Sequence, residues 1–272
     1  MRIGRYLVLC LALGLLLCAC NSESNSASLP TYEIPTTEAA AEDTTVATTI
    51  DAPEETESTA PLHAPLYLPE YTSQQVWEYF EEVVLHTEYS DGPGNAALVQ
   101  KWKEPIFYFI YGTPTDEDLS VLTALFAQLN EIPGFPGIYA AADGEPCNLM
   151  IGFLDFESFN MNFLDFLNGE DAYGATQFWY YTDTNEIYTA DVGYRTDIDQ
   201  NTRTSILLEE IVNMLGVSDT VLRTDSIVYQ YSDDNFALSD MDWLILKLLY
   251  DPAIQCGMDF DGCRAVIQQL YY

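Results

Sequence analysis

The chain has 272 residues with 43 acids against 9 bases, a formal charge of −34. No Lys or Arg falls between Arg5 and Lys101, and so negative a field repels nucleic acid and anionic surfaces, which excludes nucleic-acid binding. Neither of the two histidines, His63 and His86, has a partner at metal-ligand spacing, and there is no CxxC or Cys/His cluster, so zinc is not expected.

Arg2 and Arg5 followed by the apolar run 6–17 read as a secretion signal over residues 1–19, too short to span a bilayer as a mature helix. Leu17-Cys18-Ala19-Cys20 is similar to a bacterial lipobox. That resemblance implies cleavage before Cys20, a diacylglycerol on its sulfur, and an extracytoplasmic protein held to the membrane by that lipid. Residues 20–68 are rich in Ser, Thr, Ala, Glu and Pro, a composition that cannot bury a core, and they are expected to form a disordered tether. Forty-odd flexible residues span roughly 35–40 Å.

Residues 69–272 have the size of one domain. Ser73 is expected to cap a helix over 74–85, with Val76, Tyr79, Phe80, Val83 and Val84 as its apolar stripe, before a loop at Asp91-Gly-Pro-Gly. A strand is expected at 106–111. Thr115 then caps a helix through about Leu129, with Leu119, Leu122, Leu125, Phe126 and Leu129 facing inward. Strands are expected at 137–141 and 148–154, and a short helix or packed insertion over 155–171, with Phe156, Phe159, Phe163, Phe166 and Leu167. Residues 177–182 and 186–194 read as a hairpin around Asp183-Thr-Asn185.

The most informative stretch follows. Ile206, Leu207, Leu208, Ile211, Val212, Met214 and Leu215 describe a buried helix that Gly216 ends in a left-handed turn. Glu209 and Asn213 lie one turn apart on one face, Glu210 adjoins it, and Asp219 lies just past the turn. Helices over 240–250 and 261–270 close the chain. Of the cysteines outside the leader, Cys256 and Cys263 flank a short loop and could pair in an oxidising compartment or stay reduced, and Cys147 is left over.

The spacing E-E-x-x-N-x-x-G-x-x-D resembles the metzincin zinc-protease signature H-E-x-x-H-x-x-G-x-x-H/D. The resemblance puts Glu209, Asn213 and Asp219 at the metal-ligand positions, Glu210 at the general base and Gly216 at the bend. Asp225-Ser-Ile-Val-Tyr229 resembles the matrixin turn, with Val228 where its methionine would be. Leu208-Glu-Glu-Ile-Val-Asn-Met-Leu-Gly216 and Leu249-Tyr-Asp-Pro-Ala-Ile-Gln-Cys-Gly-Met258 are also similar to a bacterial family, domain of unknown function 2927, over about the last two hundred residues. These resemblances imply an α+β, zincin-like fold: a mixed sheet with a long helix behind it, an active-site-type helix and a C-terminal helical part. Both histidine positions are replaced, so the expected protein is a degenerate, non-catalytic metzincin-like lipoprotein, monomeric, whose cleft takes a peptide or protein ligand.

Two alternatives stay open. One is an active metallo- or metal-independent peptidase with Glu210 as base. The other is a structural envelope protein in which Glu209, Glu210 and Asn213 are a solvated face. No cofactor is expected, although Glu209, Glu210 and Asp219 could bind calcium weakly if main-chain oxygens completed the shell.

Overall fold

The computed structural model describes residue 66 and residues 68–85, 97–142, 144–163 and 172–271. The signal segment, Cys20, His63, His86, the 91–94 loop, Phe166, Leu167 and all of the tether but Leu66 and Leu68 lie outside them. Leu66 and Leu68 already pack against the core, and Tyr271 Oη donates to the Leu68 and Tyr71 carbonyls, so the domain takes up the chain slightly before residue 69.

The elements run α1 (Ser73–Leu85), β1 (Lys101–Trp102), β2 (Ile106–Gly112), α2 (Asp116–Leu129), β3 (Ile138–Ala140), β4 (Leu149–Leu154), α3 (Phe156–Phe163), β5 (Gly174–Tyr180), β6 (Glu186–Arg195), α4 (Gln200–Met214), α5 (Asp240–Leu249) and α6 (Phe260–Leu270). They form an α+β domain on one six-stranded sheet ordered β3-β2-β4-β6-β5, with β1 pairing the start of β6. All pairs are parallel except the hairpin β5–β6, so β5 is an antiparallel edge strand. Helices α2 and α4 pack together and against the inner face, onto Ile106, Ile151, Val192 and Tyr194. Helix α3 covers part of the outer face, where the Phe163 ring fills the space a side chain at Gly193 would take. Helices α5 and α6 both pack on α1.

Two end-of-helix expectations shift. Helix α1 is capped by Thr72, not Ser73: the Gln75 N–H donates to Thr72 Oγ1 and the Thr72 N–H to Gln75 Oε1, a reciprocal box. In α2, Thr115 caps as expected, but Leu119 is exposed and Asp118 takes its inward place, fully buried on the stripe Asp118, Leu122, Leu125, Phe126, Leu129. The reason is the partner that Asp118 finds inside. Its Oδ1 accepts from Arg203 Nε at 2.9 Å and from Gln200 Nε2 at 2.7 Å, and its Oδ2 accepts from the Thr115 N–H. Arg203 also donates to Gln200 Oε1 and the Thr196 carbonyl. A buried charge pair is tolerable because nearly every donor and lone pair is used.

The C-terminal end of α4 is closed by aromatic donors. Trp102 Nε1 donates to the Met214 carbonyl and Tyr250 Oη to that of Leu215, satisfying acceptors that a helix end leaves open. Gly216 then turns at φ 97°, and a Cβ there would collide with the Gln100 carbonyl. Only glycine fits.

Removing one partner of the Asp118–Arg203 pair strands the other charge in the core. Arg203→Met should lower unfolding free energy in urea by about 3–5 kcal/mol, and adding Asp118→Leu should recover part of that loss. An Arg203→Met cost below about 1 kcal/mol would rule out this role.

Candidate functional site

Asp199 starts α4 by accepting from the Thr202 N–H and hydroxyl, and Arg203, one turn on, is fixed by Asp118. The azimuth of the helix follows from these anchors. Arg203, Ile206, Glu210 and Asn213 recur at helical spacing along one stripe, and the helix is buried on nearly every side from Arg203 to Met214.

Glu209, Glu210, Asn213 and Asp219 are therefore all buried, at 9%, 5%, 1% and 9% exposure. The solvated-face alternative is overturned in its physical premise. Acidic residue types suggested solvent, but the β5–β6 hairpin and the chain after Gly216 wrap the helix.

Glu210 faces β5. A Cβ at Gly174 would collide with Ile206 and the Glu210 side chain, so glycine is what makes room for the carboxyl. The Thr176 hydroxyl donates to the Glu210 main-chain carbonyl at 2.8 Å. Glu210 Oε2 is enclosed and has no hydrogen-bond partner among the described residues. Burial pushes the carboxyl up to about 8, with the Thr176 hydroxyl acting in the opposite direction. The same burial, followed by the charges of Glu210, Asp118 and Glu209, raises the Tyr194 phenol well above its ordinary value, and that hydroxyl donates to the Leu207 carbonyl.

Asn213 and Asp219 are brought together, with Asn213 Nδ2 donating to Asp219 Oδ1 at 3.3 Å. Of the three ligand positions implied by the signature, these two meet through a hydrogen bond. Asn213 Oδ1 has no partner among the described residues. Among those residues, no three of His, Cys, Asp and Glu converge as a metal-binding group. Zinc is a poor fit to this set, because a neutral amide whose N–H donates to the adjacent carboxylate is not a nitrogen ligand.

Val228 is buried in the following loop, and the Thr220 N–H donates to its carbonyl. That loop is pinned to α1 and α5 by a polar knot: Tyr79 Oη donates to Ser226 Oγ at 2.7 Å and to Asp242 Oδ1 at 2.9 Å, and Ser226 Oγ donates to Asp242 Oδ1. Asp219 lines a pocket of about 630 Å3 with Glu78, Glu81, Glu82, Val221 and Leu222. Sequence reading missed the α1 carboxylates there, since nothing in the pattern places α1 beside the turn after Gly216.

Cys147, Cys256 and Cys263 carry free thiols in this structure. Burial pushes the Cys263 thiol up to about 12. Nearby Lys101 is buried, donates to the Leu249 and Ile254 carbonyls, and is lowered by burial to about 8.

The Glu210 carboxyl sits above its ordinary value near 4.5, so the folded protein holds that proton more tightly than the unfolded chain. Its favourable contribution is complete below pH 4.5 and is lost as pH rises through 8. Glu210→Gln should flatten the fall in unfolding free energy between those values, by on the order of a few kcal/mol. Identical pH–stability curves for the two proteins would contradict the burial argument.

Residues 73–269, more than half of the chain, match the family described as Protein of unknown function (DUF2927), and the chain belongs to it. No curated protein matches the chain.

Proposed function

We propose that this member of the DUF2927 family is a lipid-anchored extracytoplasmic protein whose metzincin-like domain binds an extended polypeptide without cleaving it. The observation that carries the reading is the edge strand β5. It pairs with β6 on one side, and no strand of the described residues lies on the other. Because the Arg195 N–H donates to the Tyr173 carbonyl, residues in register alternate, and the main-chain groups of Gly174, Thr176 and Phe178 point away from β6. Gly174 and Thr176 are buried and Phe178 is half-buried, so the part of this edge that can accept a peptide as an added strand starts at Phe178.

The zincin resemblance gains support from the sheet order, with its antiparallel edge strand, and from a helix following β6 that carries the E-E-x-x-N stretch. Loss of catalysis is argued from that helix: the histidine positions hold Glu209 and Asn213, and Asn213 spends its N–H on Asp219. The lipid anchor rests on the lipobox-like sequence ending at Cys20.

The test is a peptide-library selection on the chain, followed by hydrogen exchange and by mass spectrometry of both metal content and bound peptide. Expected are intact peptide, no stoichiometric zinc, and slowed exchange at the Phe178 amide. Protection confined to other segments, or no binder, would sink the strand-addition reading. Cleavage abolished by Glu210→Gln would establish the peptidase instead.

Cys20→Ser should release the protein from the membrane fraction of a bacterial host and remove the diacylglyceryl mass. Unchanged fractionation would exclude Cys20 as the anchor.

A further inference from the structure

The outer face of the sheet is only partly covered by α3, and its open part holds a carboxylate that no described residue balances. The registers put Phe109, Met150, Asp191 and Gln177 side by side on four neighbouring strands, a row about 15 Å long at roughly 4.8 Å per strand. Two residues away on the same face lie Phe107, paired with Tyr139, and Thr189, paired with Trp179. Phe109 and Tyr139 are each 50% exposed and Phe107 is 41% exposed. So large an apolar surface flanking one acid is unusual for a face that stays in water.

Asp191 is half-buried within this row, and it makes no hydrogen bond or ion pair among the described residues. Burial alone holds its carboxyl above the ordinary value, and its charge raises the neighbouring Tyr111 phenol. No base of the described residues reaches it. Seven Lys and Arg follow the leader. Lys101 is buried on main-chain carbonyls, Lys103 pairs with Glu186, Arg195 with Asp197, Arg203 with Asp118 and Arg223 with Asp225. Arg264 lies over Trp77 and Phe260, and Lys247 sits with Trp243 on α5. Among the described residues no cation is placed to pair with Asp191.

We propose that this face docks a partner polypeptide through a lysine or arginine side chain that pairs with Asp191 and rests against the surrounding rings. A cation gains there from the carboxylate and from ring faces together. Its hydrocarbon stem covers Met150 and Phe109, which water now meets. A neutral ligand would fill the apolar floor and leave the carboxylate unpaired in a drier place, which costs more than it gains. Asp191 is on β6, two strands inward from the added-strand position, so the proposal stands or falls separately from strand addition to β5.

The full chain in mild detergent is titrated with acetyl-Gly-Arg-Gly-amide, and with its citrulline counterpart as the uncharged isostere, while amide shifts are followed. The arginine peptide should shift Met150, Gln177 and Asp191 and bind Asp191→Asn about tenfold more weakly. Asp183→Asn, a charge-matched change in the β5–β6 turn, should leave affinity within about twofold. Phe109→Ala, at a half-exposed position, should weaken binding severalfold. Equal binding of the citrulline peptide, equal weakening by the two Asp→Asn changes, shifts confined to other surfaces, or no binding would each overturn the proposal.

Discussion

The ion pair of Asp118 with Arg203 sets the geometry on which the rest of the molecule depends. Each charge alone would be ruinous in the core, since neither side chain has more than a few per cent of its surface in water. Together they are tied into α2 through the Thr115 box, into the first turn of α4 through Gln200, and into the β6–α4 connection through the Thr196 carbonyl. Hydrophobic packing would let α4 turn about its axis at little cost, because it is apolar on most sides. The pair removes that freedom. With Arg203 pointing at Asp118, residues one and two turns later have no choice of face: Ile206 and Glu210 meet Gly174, and Asn213 meets Asp219.

Glu210 is the converse case, a carboxyl buried without a cation. The structure tolerates it by leaving it protonated, as its raised value near 8 implies, and by giving it room through Gly174. A neutral acid enclosed by a strand and a helix is a poor general base unless the enclosure opens. The main-chain link from Thr176 to the Glu210 carbonyl works against that opening, because it joins the edge strand to the helix at that residue.

Much of this was readable in advance, and what was not has physical causes. Thr115 followed three residues on by an acid marks a helix start, and Gly216 after an apolar run marks an end; both hold because they depend on local backbone geometry. The inward place of Asp118 was not readable, because an acid faces the core only if a base arrives from elsewhere, and Arg203 lies 85 residues away. The same blindness to long-range partners made Glu209, Glu210 and Asn213 look solvated. Strand β5 begins at Gly174, earlier than the 177 expected, since Gly and Ala carry little strand propensity and are chosen there for clearance under Ile206 and Phe163.

Replacing a metal by side chains changes what such a scaffold needs in order to stay folded. In the metzincin-like reading, a zinc ion would tie the helix to the chain beyond the glycine bend. Here an Asn213–Asp219 hydrogen bond spans the same two positions, and the loop beyond is held by Tyr79, Ser226 and Asp242. Glu82 adds a second tie from α1, accepting from the Thr220 hydroxyl and the Val221 N–H. These bonds come from three elements and need no ion. On the proposed reading, the helix without histidines and the polar knot around the loop belong together, because the knot holds the chain beyond Gly216 without an ion.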